Sequence, residues 1–454
     1  MSARVPNRLL ALLFLPVVFG FVATVVAAWP GAISPDMEST IREAEAFTFW
    51  GHQEPMSGFV WSPVVALCSV PVSVAVFYLA QLAAFWLTFA LFIKGALRER
   101  QVFAAMLGSV LGFLPPLFCF TSMIESNMQV GVAWSLAVAI ASVSQSRRAQ
   151  LASAFLLFYG FCARSGMIVA IPPVMFACVM LHRPEFSKRR AAMWSVVGSA
   201  GFGALAFLVT TVLLGSPSRD RVLGVSQLFD MAGVYQKTGT HLIPPALVPE
   251  GATAEEILVL YEPALCSPIF WRGDNKPVFK LPSTREEGAS LGAAWLETIK
   301  RNPAAYFAVK ARYAALFLMI GVEWPQGFYP DISRNAALGL GEPGGDGWTL
   351  INDYARSTAT TLLWKGWFWF ALTGVICFVA CLLRAPRALA AAAVYAGAIC
   401  NMAPQLLFGE AALVRYYFAP YILCVCSLLL LAGPLAGVIK AKLHRLRQGR
   451  VQAA

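Results

Sequence analysis

Four charged side chains stand where long apolar stretches of this 454-residue sequence give way to polar ones: Asp36, Glu125, Arg164 and Arg415. Asp36 follows the first stretch, within Pro30-Gly31-Ala32-Ile33-Ser34-Pro35-Asp36. Pro30-Gly31 marks a turn, and Ser34 or Asp36 can cap a helix starting near Met37. The carboxylate is then either a helix cap or a reactive group held where the chain leaves a membrane. Arg164 and Arg415 each stand alone among apolar residues. An unpaired charge there is costly. Each therefore needs an acidic partner such as Glu125 or Glu410, a path for its head group to the interface, or a binding role.

The elements that must position these residues follow from composition and hydropathy. Hydrophobic residues make up 58% of the chain and charged residues 13%, against about a quarter charged in soluble domains. With repeated apolar runs of about 20 residues, this excludes a soluble enzyme, a secreted disulfide scaffold and a disordered chain. Of ten cysteines, only Cys266 lies in a polar loop, and no CxxC occurs. The first apolar segment is Leu9 to Ala28. Val60 to Ile93 holds a short interfacial helix and a span from about Val72. Val102 to Phe120 and Met128 to Val143 flank a short turn. Leu151 to Leu181 holds two short passes broken near Arg164-Ser165-Gly166. Ala191 to Leu214 crosses next, and three late spans cover about 358–383, 388–408 and 411–438.

The fold expected is an all-α polytopic membrane protein with about ten transmembrane helices plus short interfacial or re-entrant helices. Its divisions are an N-terminal membrane module (1–214) with a first external loop (29–57), external loops (215–357) containing an interfacial helix (304–321), C-terminal membrane helices (358–438), and a basic tail (439–454). Charge gives these an orientation. With both termini and the turns at 94–100, 147–148, 182–190 and 384–387 on the cytoplasmic side, that side holds 18 of the 35 Lys and Arg but only Glu99 and Glu185 as acids. The basic excess thus anchors the protein to anionic lipid, and no nucleic-acid partner is expected.

Three loops on the opposite face, 29–57, 215–303 and 322–357, carry 20 of the 24 acids. A transporter needs charge near the midplane. An enzyme acting on membrane-anchored, water-exposed substrates needs it at the interface, and the distribution favours the enzyme. No internal repeat supports a transporter, and no P-loop, GxGxxG or HExxH is present.

The order of several motifs resembles bacterial members of the GT-C superfamily, integral-membrane glycosyltransferases that use polyprenyl-phosphate sugars. Pro30-Gly31…Ser34-Pro35-Asp36 follows the first span, and His52-Gln53-Glu54-Pro55 precedes the next. Leu114-Pro115-Pro116 leads to the turn with Glu125 and Asn127. Arg164-Ser165-Gly166 stands where such proteins often carry an Arg-Asn element. Trp295…Asn302-Pro303…Tyr306…Arg312 is similar to their interfacial helix, and Glu410…Arg415-Tyr416-Tyr417…Pro420 to the start of a late span. The chain departs from the family in having His52-Gln53-Glu54-Pro55 for the frequent HPP, and Ser126-Asn127 where many relatives have Lys-Asp.

The resemblance implies an inverting sugar transfer at the inner membrane of a bacterium, with the active face periplasmic. Asp36 would be the general base that deprotonates the acceptor. Arg164, Arg415, Arg301 and Arg312 would bind the donor phosphate, a task suited to the planar guanidinium. His52, Glu54, Glu125 and Tyr416 would contact substrate. The partners would be a polyprenyl-phosphate-linked sugar donor, a lipid-linked or envelope glycan acceptor and the bilayer. No cofactor is expected, and a divalent metal shared by Asp36 and Glu125 has no sequence signal. The competing readings are a flippase for lipid-linked sugars, and a polymerase or ligase of lipid-linked glycans. The latter usually relies on Arg and His in a large external loop, and His241 is the only histidine of 215–303. Trp50, Trp61, Trp271, Trp295 and Trp324 are expected in an interfacial aromatic belt.

Overall fold

A computed structural model describes residues 7–49, 55–214, 220–270, 278–323, 333–341, 343, 345–409 and 411–453. Nearly every regular element among them is helical. In chain order they are α1 (Asn7–Ala28), β1 (Ala32–Ile33), α2 (Pro35–Ala46), α3 (Pro55–Leu67), α4 (Val70–Arg98), α5 (Val102–Val110), α6 (Pro115–Phe120), β2 (Met123–Ile124), α7 (Ser126–Val143), α8 (Arg147–Ala163), α9 (Ile171–His182) and α10 (Lys188–Leu208). Next come α11 (Asp220–Thr238), α12 (Ala254–Leu260), α13 (Ser267–Phe270), α14 (Arg285–Arg301), α15 (Pro303–Phe317), α16 (Ser333–Ala337), α17 (Gly345–Thr358), α18 (Gly366–Leu382), α19 (Ala388–Phe408) and α20 (Phe418–Ala453).

Six stretches are long and apolar enough to cross a bilayer: Leu9–Ala28, Val70–Arg98, Ser126–Val143, Lys188–Val212, Ala388–Phe408 and Val414–Leu446. Four further apolar helices, Pro55–Leu67, Val102–Phe113, Met167–His182 and Gly366–Leu382, are shorter. Among the described residues six helices, not about ten, have the length and apolarity to cross, because proline and polar residues divide the other apolar runs. The basic tail continues the last helix, since α20 runs without a break from Phe418 to Ala453.

Burial shows which helices form the centre. α7 is apolar all round and 78% of its span is buried, against 22% for α1. A helix without a polar face belongs inside, and α7 packs against α4, α8, α9 and α20. The outer faces of α1 and α10 instead present Leu12, Leu15, Phe19, Trp194, Val197 and Phe207 to the surroundings, as expected where the solvent is lipid.

The breaks in the helices place the charged residues. Pro115 and Pro116 start α6 after the single turn Leu111–Phe113. Arg164 is extended, with φ −155° and ψ 92°, and ends α8 before a tight turn at Ser165–Ala170. Arg415 and Tyr416 lie in another tight turn, Val414–Tyr417, which enters α20. Pro303 opens α15 directly after α14, where its missing N–H costs nothing.

Candidate functional site

The site is assembled around a two-residue parallel pairing. Ala32 lies opposite Met123 and Ile33 opposite Ile124. The N–H groups of Ala32 and Ser34 donate to the carbonyls of Ser122 (2.9 Å) and Ile124 (3.4 Å). Asp36 follows β1 by three residues and Glu125 follows β2 by one, so this pairing brings the two acids to one place. Gly31, at φ +95°, makes the approach to β1 possible. A Cβ there would lie 2.8 Å from the ring of Tyr78, and only glycine takes this backbone conformation without strain.

Of the two caps expected for α2, the structure uses Ser34. Its Oγ accepts the N–H of Met37 at 3.2 Å, and Pro35 fills the first turn. Asp36 is not the cap, and its carboxylate projects from the first turn of α2. Arg415 Nη2 stands 3.7 Å from Asp36 Oδ2. Arg164 Nη1 stands 3.9 Å from Glu125 Oε1. The two guanidinium carbons lie 5.0 Å (Arg164) and 5.4 Å (Arg415) from the centroid of the Tyr416 ring, within cation–π range. Asp36, Glu125, Arg164, Arg415 and Tyr416 thus form one cluster drawn from four distant parts of the chain.

The two acids sit in different environments. Asp36 keeps 34% of its side chain exposed, while Glu125 is fully buried. Glu125 caps α7 by accepting the Asn127 N–H (2.7 Å), and it also accepts from Asn127 Nδ2 (2.8 Å) and Ser126 Oγ (3.2 Å). Burial pushes the Glu125 carboxyl above its ordinary range, and the Asp36 charge adds to this against the pull of Arg415 and Arg164. Among the described residues, Arg415 Nε is buried without a hydrogen-bond partner, as are Asp230 Oδ1 and Lys310 Nζ.

The other residues expected here lie elsewhere. Arg301 is exposed and pairs with Glu297 one helical turn away, at 2.7 Å. Arg312 is exposed on α15 and lies near Tyr261. No ion pair or hydrogen bond joins either to Asp36 or Glu125. Their neighbour Lys310 turns inward to Asp230 instead, so the basic stripe of the interfacial helix points in several directions. His52 and Glu54 lie outside the described residues, as do Trp50, Trp271, Trp324 and Glu410. Of the two described tryptophans in that set, Trp61 is inside the protein and Trp295 is half-buried. Trp61 is fully buried and stacks on Phe77, and the Trp295 Nε1–H donates to Asp230 at 3.2 Å. Two surface cavities, of about 370 and 660 Å³, are lined by residues including Arg387 and Lys365, and by none of the cluster.

Two supporting residues gave no signal in the sequence. Gln81, buried in α4, donates to the carbonyls of Met123 (2.8 Å) and Thr121 (3.4 Å) and so holds β2. Asn335, from α16, bonds to the Ile33 N–H and the Gly31 carbonyl along one edge of β1. A single amide looks like any other polar residue until its partners are known, and those of Asn335 lie 302 and 304 positions away.

No protein-family model matches the chain, and no curated protein matches it.

Proposed function

We propose that this chain is an integral-membrane glycosyltransferase of GT-C type, which moves a sugar from a polyprenyl-phosphate carrier to a lipid-linked or envelope-glycan acceptor on the periplasmic face of a bacterial inner membrane. One observation carries the reading: a part-exposed carboxylate, Asp36, borders two guanidinium groups that share the Tyr416 ring. A single acid would serve equally as a structural ion pair. An acid beside paired arginines fits a base next to a phosphate site.

In this reading the acceptor hydroxyl oxygen attacks the anomeric carbon as the bond from that carbon to the phosphate oxygen breaks. The electron pair of that bond leaves with polyprenyl phosphate. The hydroxyl proton passes to Asp36, and the configuration at the anomeric carbon inverts. Arg415 and Arg164 face the charge that grows on the phosphate. Glu125, too buried to reach an acceptor, holds Arg164 in place. A proton on Glu125, which its burial favours, would leave the cluster with one net positive charge, the complement of a phosphodiester donor.

The test supplies membranes containing the protein with a panel of labelled polyprenyl-phosphate hexoses and pentoses. The parent should form a labelled glycan and release polyprenyl phosphate. Asp36→Asn should lower the rate by about 10²–10⁴-fold, the usual worth of a positioned base. Equal transfer by both would remove Asp36 from the chemistry. Label crossing sealed vesicles with no new product would replace the transferase with a flippase.

A further inference from the structure

Most of what holds β1 in place is ordinary strand pairing, but one edge is completed by a side chain. The N–H groups of Ala32 and Ser34 point to β2. The alternation of a strand turns the Gly31 carbonyl and the Ile33 N–H the other way. There Asn335 meets both. Its Oδ1 accepts the Ile33 N–H at 3.0 Å, and its Nδ2 donates to the Gly31 carbonyl at 2.8 Å and to the Gly341 carbonyl at 3.3 Å. A carboxamide carries the same donor and acceptor as a peptide unit, so Asn335 stands in for a third strand. Ala32, Ile33 and Asn335 are all fully buried, where neither backbone group has water to replace it.

The segment bearing Asn335 is tied to α2 at two further points. Arg42 donates to the Ala337 carbonyl at 3.2 Å, and Arg334 lies 3.4 Å from Glu38. Both are partly exposed and screened, and so weak. The buried amide is the specific element. From Ile33 to Asp36 there are only three residues, and the Ser34 cap makes that link stiff. The backbone that Asn335 holds therefore leads directly to the Asp36 carboxylate beside Arg415.

Resting on the transferase reading, we infer that Asn335 is a positioning residue: its amide clamps the Gly31–Ile33 backbone and so fixes Asp36 for proton acceptance, making the loop segment at 333–341 part of the active site although it touches no reacting atom. A shift of about 1 Å in a reacting group can cost about a hundredfold in rate. Loss of the clamp should therefore lower the maximal rate and leave donor binding, the task of Arg164 and Arg415, unchanged.

The experiment compares the parent, Asn335→Ala, Asn335→Asp and Asp36→Asn in full-length, detergent-purified protein, with labelled polyprenyl-phosphate sugars as donor. Hydrogen exchange is followed in the peptide covering 29–37. Asn335→Ala should lower the maximal rate about 10- to 100-fold, leave half-saturating donor within about twofold, and speed exchange at Ile33. Asn335→Asp keeps the acceptor for Ile33 but sets an oxygen against the Gly31 carbonyl, so it should fail to restore the rate although it is nearly isosteric. A parent-like rate and parent-like exchange in Asn335→Ala would overturn the clamp. A rise in half-saturating donor equal to the loss in rate would also overturn it, by placing Asn335 in donor binding. The transferase reading fails separately, if Asp36→Asn transfers like the parent or the parent transfers nothing. The exchange rates at Ile33 then decide the clamp alone. A variant that does not fold is answered by Asn335→Ser, which keeps one hydrogen-bonding group and should show intermediate exchange and rate.

Discussion

Two carboxylate–cation pairs, Asp36 with Arg415 and Asp230 with Lys310, use similar groups to opposite ends. The first is loose and open. Its closest atoms are 3.7 Å apart, and 34% of Asp36 and 16% of Arg415 remain exposed. The second is tight and closed, at 2.5 Å, with 3% of Asp230 and 13% of Lys310 exposed. Trp295 donates to Asp230, and the Lys310 ammonium lies 5.9 Å from the Tyr313 ring. Asp230 lies on α11, Trp295 on α14 and Lys310 on α15, so this pair ties three helices of the polar region together. A buried acid held among three helices has no room for a substrate. A part-exposed acid beside a guanidinium does. In the proposed transfer the chemistry falls to the reachable pair, and stability to the buried one.

The sharpest way to break this contrast is to disarm the closed pair. Lys310→Met leaves a buried carboxylate without its counter-charge, which should cost about 3–5 kcal/mol of stability. Replacing both partners, Asp230→Leu with Lys310→Met, should recover most of that. Chemical unfolding of the detergent-solubilised protein measures both, and transfer per folded molecule should match the parent. If Lys310→Met instead lowers transfer at unchanged stability, the division of labour between the pairs is mistaken.

A smaller effect should appear with pH. Burial pushes the Asp230 carboxyl from its ordinary 3.8 up to about 6, against the pull of Lys310 and the hydrogen bonds from Trp295 and Tyr306. A carboxyl whose folded value is raised favours the folded state when protonated. Stability from this group is therefore greatest below pH 3.8 and is lost as pH rises through about 6, by at most about 3 kcal/mol. Unfolding midpoints taken across that window should fall more steeply in the parent than in Asp230→Asn. A parent curve without slope would show that Lys310 offsets the burial completely.

The smallest effect sharpens the open pair. Arg415→Lys keeps the charge and loses the planar fork. The maximal transfer rate should drop about tenfold, or about 1.4 kcal/mol, with little change in the unfolding midpoint. A parent-like rate would reduce Arg415 to a point charge.

Much of the local structure was legible in the sequence. Apolar runs announced the helices, Arg164-Ser165-Gly166 marked a break, and Ser34 was one of two expected caps. Helix length was less legible, because proline divides an apolar run without making it less apolar. This happened at Pro115-Pro116. The basic stripe at 300–312 was hard to read for a different reason. Charge is visible in a sequence but its direction is not, and Lys310 turned inward to an acid 80 positions earlier while Arg301 found Glu297 on its own helix.

The sequence by itself determined what depends on neighbours along the chain: which segments are apolar enough for a membrane, which charges lie at their ends, and that Asp36 follows the first helix. Tertiary structure alone decided that Asp36 meets Arg415, that β1 pairs with β2, and that Asn335 completes the strand. Hydropathy and capping act over a few residues and leave a periodic trace. A contact between positions 36 and 415 leaves none, since it exists only once a buried scaffold has brought two distant turns to the same end of the helix bundle.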